Sequence, residues 1–313
     1  VSTPWHIVVA TDLSPASAQA YRHAAMVAKT LGSDTRVSLL TVDEARMSAS
    51  EGMRAAFADY YESVTSARES ATTKATEAFD RWGVSAEVIE RGGTPFRTIA
   101  SFAREEQADL VVLARHTRGP LPRRLLGSTV KRLLRVTTVP VLIVPVDDGV
   151  GDAVQVSTPQ CKHLVVPSDL SDQAGEAIEK TAHLAQRFGA SVTALHVTEP
   201  LMWVPLLTGA TLPPVPAGMT EETKDTALAA LNTQLDGITA GVSITPSVVE
   251  GFAAETVCKT ARQVGADWIS LSATGKGATE RFFLGSTAER VAADSHIPVL
   301  VWPNTPEPAR LGQ

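Results

Sequence analysis

Short runs of β-branched and aliphatic residues alternate along this chain with longer stretches in which apolar residues recur every three or four positions. The first kind predicts strands and the second amphipathic helices. Strands are expected at Ile7 to Ala10, Val37 to Val42, Ala86 to Glu90, Leu110 to Ala114 and Val141 to Val144, with helices between them. A second set fits near Leu164 to Pro167, Val192 to Val197, Ser247 to Val249, Trp268 to Leu271 and Val299 to Val301. Runs such as Leu110-Val111-Val112-Leu113 lack the alternation of a one-sided sheet, so both faces should be covered. That predicts an α/β fold, doubly wound, with helices on each side of a parallel sheet. Ser14 before Pro15 marks a helix start, because serine caps unpaired N–H groups and proline suits the first helical position; Gly32 marks the stop.

The pattern is written twice. Val8-Val9-Ala10-Thr11-Asp12-Leu13-Ser14 returns as Val165-Val166-Pro167-Ser168-Asp169-Leu170-Ser171, and Ala108-Asp109 returns as Ala266-Asp267. Leu126-Gly127-Ser128-Thr129 matches Leu284-Gly285-Ser286-Thr287, and Val139-Pro140-Val141-Leu142 matches Ile297-Pro298-Val299-Leu300, in the same order. One duplicated domain follows, with a period too long for a solenoid. The stretch from Asp147 to Gln160 is rich in Gly, Asp, Ser and Pro and reads as a linker. The expected division is a first domain over residues 1–147, a linker over 148–160, a second domain over 161–304 and a tail over 305–313.

The length of 313 residues agrees with two domains, and 44% hydrophobic with 20% charged residues is a globular composition. A net charge of -6 argues against a general nucleic-acid binder, which needs a basic face for phosphates. Apolar runs such as Val139 to Val146 are too short to cross a membrane and are broken by Pro140 and Pro145. The residues before Trp5 do not read as a secretory leader, so the expectation is a cytoplasmic protein without membrane or nucleic-acid partners. Only Cys161 and Cys258 occur, outside any metal-ligand spacing; Cys258, in an apolar run, is expected to be a buried small hydrophobe, and pairing of the two stays open.

In an open parallel sheet, ligands bind beyond the carboxyl ends of the strands where the strand order reverses. If the order is 3-2-1-4-5, that rule brings the Asp12 loop beside the segment from Ala114 to Gly127, and Asp169 beside Ser272 to Gly285. Gly127-Ser128-Thr129 stands at the start of a helix, where unpaired N–H groups, the positive dipole end and hydroxyls together suit an anion. The plainer reading is a glycine turn with Ser128 as the helix cap.

At these residues the chain resembles the universal stress proteins. The resemblance covers nearly the whole chain twice, through the Asp-Leu-Ser openings, the Gly-Ser-Thr helix starts and the closing strand with its proline. It implies two doubly wound domains, each with a five-stranded parallel sheet of order 3-2-1-4-5. It also implies pairing of last strands between the two domains and, with them, a homodimer. Members that bind ATP hold its phosphates with G-x2-G-x9-G-S/T. Here the glycine positions carry Ala114, Thr117 and Gly127 in the first copy and Ser272, Gly275 and Gly285 in the second, followed by Ser128 and Thr129 or Ser286 and Thr287. Ala and Thr cost sterically wherever a positive φ is needed. Asp12 and Asp169 match the acid that contacts ribose or adenine, against a plain turn-forming role, and Val42 and Val197 would border the adenine.

Charge separates the copies. Arg115, Arg118, Arg123, Arg124, Lys131, Arg132 and Arg135 make the first basic, whereas the second mixes Lys276, Arg281 and Arg290 with Glu280 and Glu289. The first should attract phosphate better. Ser286-Thr287-Ala288-Glu289 fits a capping box, which would put a carboxylate at the helix start an anion needs. Glycine content favours the second copy and charge the first, so the choice between them stays open.

The resemblance implies a stress-response protein that binds ATP or a related adenine nucleotide, with or without Mg2+, and acts through protein partners. No catalytic or metal-ligating set is legible: His116 and His196 lack a carboxylate or second histidine at a useful spacing. A ligand-free scaffold and a slow ATP hydrolase are the alternatives. A third is an apolar ligand between the two copies or beneath the insertion from Leu201 to Met219, which reads as a lid or as an ordered surface loop.

Overall fold

Strand burial explains why the apolar runs lack alternation: Ile7, Val8 and Val9 are consecutive and each 0% exposed, so both faces of their strand are covered. The structure, a computed structural model, describes residues 4–44, 58–115, 126–146, 159–199, 219–238, 240–275, 284–304 and 311. The chain divides into two units, Val1–Gln160 and Cys161–Gln313.

In the first unit β1 (His6–Thr11) leads through a single 3-10 turn, Pro15–Ser17, into α1 (Ala18–Leu31). β2 (Arg36–Asp43), α2 (Ala58–Arg81), β3 (Ala86–Gly92), α3 (Pro95–Glu105), β4 (Leu110–Arg115), α4 (Ser128–Val136) and β5 (Val141–Pro145) follow. β1 pairs in parallel with β2 and β4, β2 with β3, and β4 with β5, which gives the expected order 3-2-1-4-5. The register sets Ala10 opposite Leu113, so the Asp12 turn emerges beside the end of β4.

The second unit repeats the plan. It runs β6 (His163–Ser168), α5 (Asp172–Phe188), β7 (Ser191–Thr198), α6 (Met219–Leu235), β8 (Ile244–Glu250), α7 (Ala253–Gln263), β9 (Trp268–Ser272), α8 (Ser286–Asp294) and β10 (Val299–Trp302). β6 pairs in parallel with β7 and β9, β7 with β8, and β9 with β10. Pro246 is tolerated inside β8 because β8 pairs with β7 on one side and ends the order, where a missing N–H breaks no outer ladder. Trp302 is among the largest fully buried side chains, and its Nε1–H donates to Ser270 Oγ at 2.9 Å and to Thr181 Oγ1 at 3.2 Å. A buried indole N–H needs such a partner.

The recurring Ala-Asp pair staples the opposite end of each sheet. Asp109 accepts from the His6 amide at 2.8 Å, and Asp267 from the His163 amide at 3.0 Å. Each histidine reaches the hydroxyl of the neighbouring strand, His6 Nε2 to Ser38 and His163 Nε2 to Thr193, both at 2.9 Å.

Two local expectations are corrected. Ser14 precedes the 3-10 turn but caps nothing: its hydroxyl is buried without a partner, because Asp12 takes the nearby donors instead. The counterpart Ser171 does cap, accepting from Ala174 N–H at 3.2 Å. Cys258 is only half-buried, because α7 turns it partly to the surface; Cys161 is the buried thiol, pushed up in pKa by burial. Of the insertion from Leu201 to Met219, only Met219, the first residue of α6, falls among the described residues. Among these, no helix is long and apolar enough to cross a membrane.

Candidate functional site

Each first strand ends in the same double turn. Thr11 Oγ1 accepts from Leu13 N–H at 2.9 Å, and Asp12 Oδ1 from Ser14 N–H at 3.0 Å and Ser17 Oγ at 2.9 Å. In the second unit Ser168 Oγ accepts from Leu170 N–H at 3.0 Å, and Asp169 Oδ1 from Ser171 N–H at 3.1 Å and Ser171 Oγ at 2.5 Å. These bonds drive Leu13 and Leu170 to φ 59 and 62. A left-handed leucine costs about 1–2 kcal/mol. The turn-forming role of both aspartates is thus real, and it uses one carboxylate oxygen.

Different elements brace the two turns. Tyr21 on α1 shares a hydrogen bond with Thr11 at 2.6 Å, and burial, with a smaller push from the Asp12 charge, raises its phenol to about 12. Ile178 stands at the same spacing from Asp169 as Tyr21 from Asp12, so α5 offers no such group. Instead Gln234 of α6 accepts from Ser168 Oγ at 2.6 Å and donates through Nε2 to the Ser171 carbonyl at 2.8 Å. His196 on β7 adds a donation from Nδ1 to the Ser168 carbonyl at 2.7 Å. Sequence reasoning missed Tyr21 and Gln234. Tyr21 did carry a signal, a polar tip on the buried face that Ala20, Ala24, Ala25 and Ala28 otherwise form.

Beyond the second turn lies a cavity of about 440 Å³, within the size range of small-molecule sites. The sequence-predicted Asp169, Val197, Ser272, Gly275, Gly285, Ser286 and Thr287 all line it. Leu195, Leu271 and Val257 supply apolar wall, and His196, Glu199 and Thr274 add polar groups. Thr274 is 3% exposed, and its hydroxyl has no hydrogen-bond partner. The Ser272 hydroxyl donates to the Thr274 carbonyl and so folds the loop on itself.

The glycines work differently from expectation. None of the described signature positions has a positive φ. A Cβ on Gly275 would instead run into the Asp169 carboxylate, so the bare backbone lets the acid cross the cleft. Gly285 donates its N–H to the Ala273 carbonyl at 2.8 Å, and Ala273 donates to Trp302 O at 2.8 Å, which ties the start of α8 to the ends of β9 and β10. This pull makes Gly285 the N-cap at φ -60 and ψ 142, one residue before the expected capping serine. The capping box therefore does not form: no side chain caps α8, and Glu289 spends its backbone N–H on Gly285 O at 2.9 Å. The first amides of the helix are presented with the dipole end toward the cavity.

In the first unit α4 begins alike, with Gly127 as N-cap, no side-chain cap, and Lys131 N–H on Gly127 O at 3.0 Å. Ser128 and Thr129 open the helix, Ala114 lies near the end of β4 and Val42 near the end of β2. Thr117 and His116, like Arg118, Arg123, Arg124, Lys276, Glu280 and Arg281, lie outside the described residues. Arg132 of the basic run stacks over Phe96, its guanidinium carbon 5.6 Å from the ring centre. No group of His, Cys, Asp or Glu suited to a metal ion occurs among the described residues.

Comparison with known proteins adds a family. The model of the universal stress protein family matches residues 5–145 and again residues 160–303. A universal stress protein of Methanocaldococcus jannaschii is 34% identical over 140 residues, which span 45% of this chain and 81% of that protein. The crystal structure of a universal stress protein from Archaeoglobus fulgidus DSM 4304 superposes with a TM-score of 0.66 at 19% identity, covering 96% of this chain and 98% of that one. A Pseudomonas aeruginosa PAO1 protein described as functionally unknown reaches 0.62 at 16% identity, covering 99% and 95%.

Proposed function

Because this chain belongs to the universal stress protein family, with the family's domain present twice, we propose that it binds an adenine nucleotide in the second-unit cavity and transmits the bound state to protein partners in a stress response. One observation carries the reading: the Asp169 turn and the amide-bearing start of α8 line a single cavity of about 440 Å³. A phosphate at the α8 end would meet unpaired N–H groups, the Ser286 and Thr287 hydroxyls and the positive end of the helix dipole. A flat apolar base suits the wall of Leu195, Val197 and Val257. The Asp169 carboxylate approaches Gly275 at the wall of the same cavity, where it would face a ribose hydroxyl or a base amine.

The test is direct. Mass spectrometry of small molecules released from freshly purified protein is expected to find an adenine nucleotide, and titration calorimetry with ATP, ADP and AMP to show saturable heat. Asp169→Ala should weaken that binding by about tenfold or more, as expected for loss of a charged acceptor. Absence of any heat or thermal shift at millimolar nucleotide removes the reading.

A further inference from the structure

The polar groups of the second cavity fall into two kinds. At the α8 end they are donors: the amides of Ser286 and Thr287, joined by the buried, unpartnered hydroxyl of Thr274. At the ends of β6 and β7 the polar lining residues are Asp169 and Glu199, which carry acceptors, with His196 beside them. His196 is committed at one nitrogen, since Nδ1–H donates to the Ser168 carbonyl at 2.7 Å. That bond assigns the donor role to Nδ1, so in a neutral ring Nε2 is the acceptor. A ligand that satisfies both ends is anionic at one and carries N–H or O–H groups at the other.

We propose that His196 determines the specificity of the second cavity, its Nε2 accepting a hydrogen bond from a ribose hydroxyl or the base amine of the bound adenine nucleotide. The proposal rests on the nucleotide reading above. The first unit does not repeat the group. Thr41 holds the equivalent place, opposite Thr11 in the sheet as His196 is opposite Ser168. It is 2% exposed, and its hydroxyl has no partner. A hydroxyl on Cβ ends well short of an imidazole Nε2, so the duplicated positions read the same ligand differently.

Titration calorimetry on the full chain tests this with AMP, 2′-deoxy-AMP, 3′-deoxy-AMP and the monophosphate of purine riboside, which lacks the base amine. Against the wild-type chain, one of the three analogues is expected to bind about tenfold or more weaker than AMP, the usual cost of stranding a polar partner. His196→Phe should lose AMP affinity by a similar factor and lose the discrimination, with a small fall in thermal stability from loss of the Ser168 bond, while His196→Gln, which keeps a donor and an acceptor, restores part of both. Discrimination equal in wild type and His196→Phe overturns the proposal and leaves the nucleotide reading intact. Failure of AMP to bind the wild-type chain removes the reading and the proposal together.

Discussion

The first unit holds its strand-end turn from α1, the second from α6 and β7. In the first, Tyr21 reaches Thr11 from the helix that immediately follows the turn. In the second, Gln234 and His196 grip Ser168 and Ser171 from elements far along the chain. The turn is the same, down to the left-handed leucine. A duplicated backbone geometry can thus outlast replacement of every side chain that braces it. What changes is coupling: the first turn answers to its own helix, the second to Gln234 of a later helix and to His196, which also lines the cavity.

Acid should separate the units most. Burial, helped by the neighbouring Arg22 charge, holds His23 on α1 at about 4, against an ordinary value of 6.5. As pH falls, the unfolded chain therefore binds the proton first. The stability that this neutral histidine carries is complete above pH 6.5 and drains away between 6.5 and about 4. The loss amounts to up to about 3 kcal/mol, and the buried His6, also lowered, adds in the same direction. The second unit carries Lys180 in place of His23, paired with Glu176 at 3.1 Å. Hydrogen exchange read separately over α1 and α5 should show α1 losing protection from pH 7 to pH 4.5 far more than α5. His23→Gln should flatten the α1 response, and an unchanged response in that variant would discard the assignment.

Next in size is an exchange of signature residues. Gly275→Thr gives the second unit the residue type that Thr117 supplies in the first, and its Cβ would overlap the Asp169 carboxylate. Overpacking of this kind costs about 1–3 kcal/mol, so nucleotide affinity should fall by about 10-fold to 100-fold. Affinity equal to wild type would mean that the close approach of acid and glycine has no bearing on the ligand.

The braces rank below that. Tyr21→Phe removes the Thr11 hydrogen bond and should cost about 1 kcal/mol in the first unit alone. Gln234→Leu strips two hydrogen bonds from the second turn and should expose the Leu170 and Ser171 amides to exchange there, leaving Leu13 and Ser14 untouched. Exchange rising in both units after either change would contradict separate bracing.

These residues also mark where the sequence was legible. The strands and the duplicated loops could be read because consecutive apolar residues, repeated punctuation and strand-end aspartates are local signals, whereas the strand order followed only from the family resemblance. The cavity-lining glycines are legible as sites of close approach, but sequence does not say of what: at Gly275 it is the Asp169 carboxylate across the cleft, and no positive φ is involved. The helix start at Gly285 was misplaced by one residue because the bond that moves it comes from Ala273. Gln234 left no trace, since a glutamine on a helix looks the same whether it faces water or a distant turn. His196 was discounted for lack of a second ligand at short spacing, while its partner is a backbone carbonyl, which no side-chain pattern records.

The smallest expected effects come from the two serines that follow the aspartates. Ser171 accepts from Ala174 N–H at 3.2 Å and caps α5. Removing such a cap costs about 1 kcal/mol, so Ser171→Ala should destabilise the second unit by that amount. Ser14 occupies the same place in the repeat, but its buried hydroxyl has no partner, because Pro15 opens a 3-10 turn in which Asp12 takes the donors. Ser14→Ala removes a desolvated, unsatisfied group and should leave the first unit unchanged or stabilise it by a few tenths of a kcal/mol. Urea unfolding of the two variants, with hydrogen exchange to assign each change to its unit, checks both signs. Equal losses from both substitutions would show that the first turn uses its serine as the second does, and the contrast between the copies would then reduce to their braces.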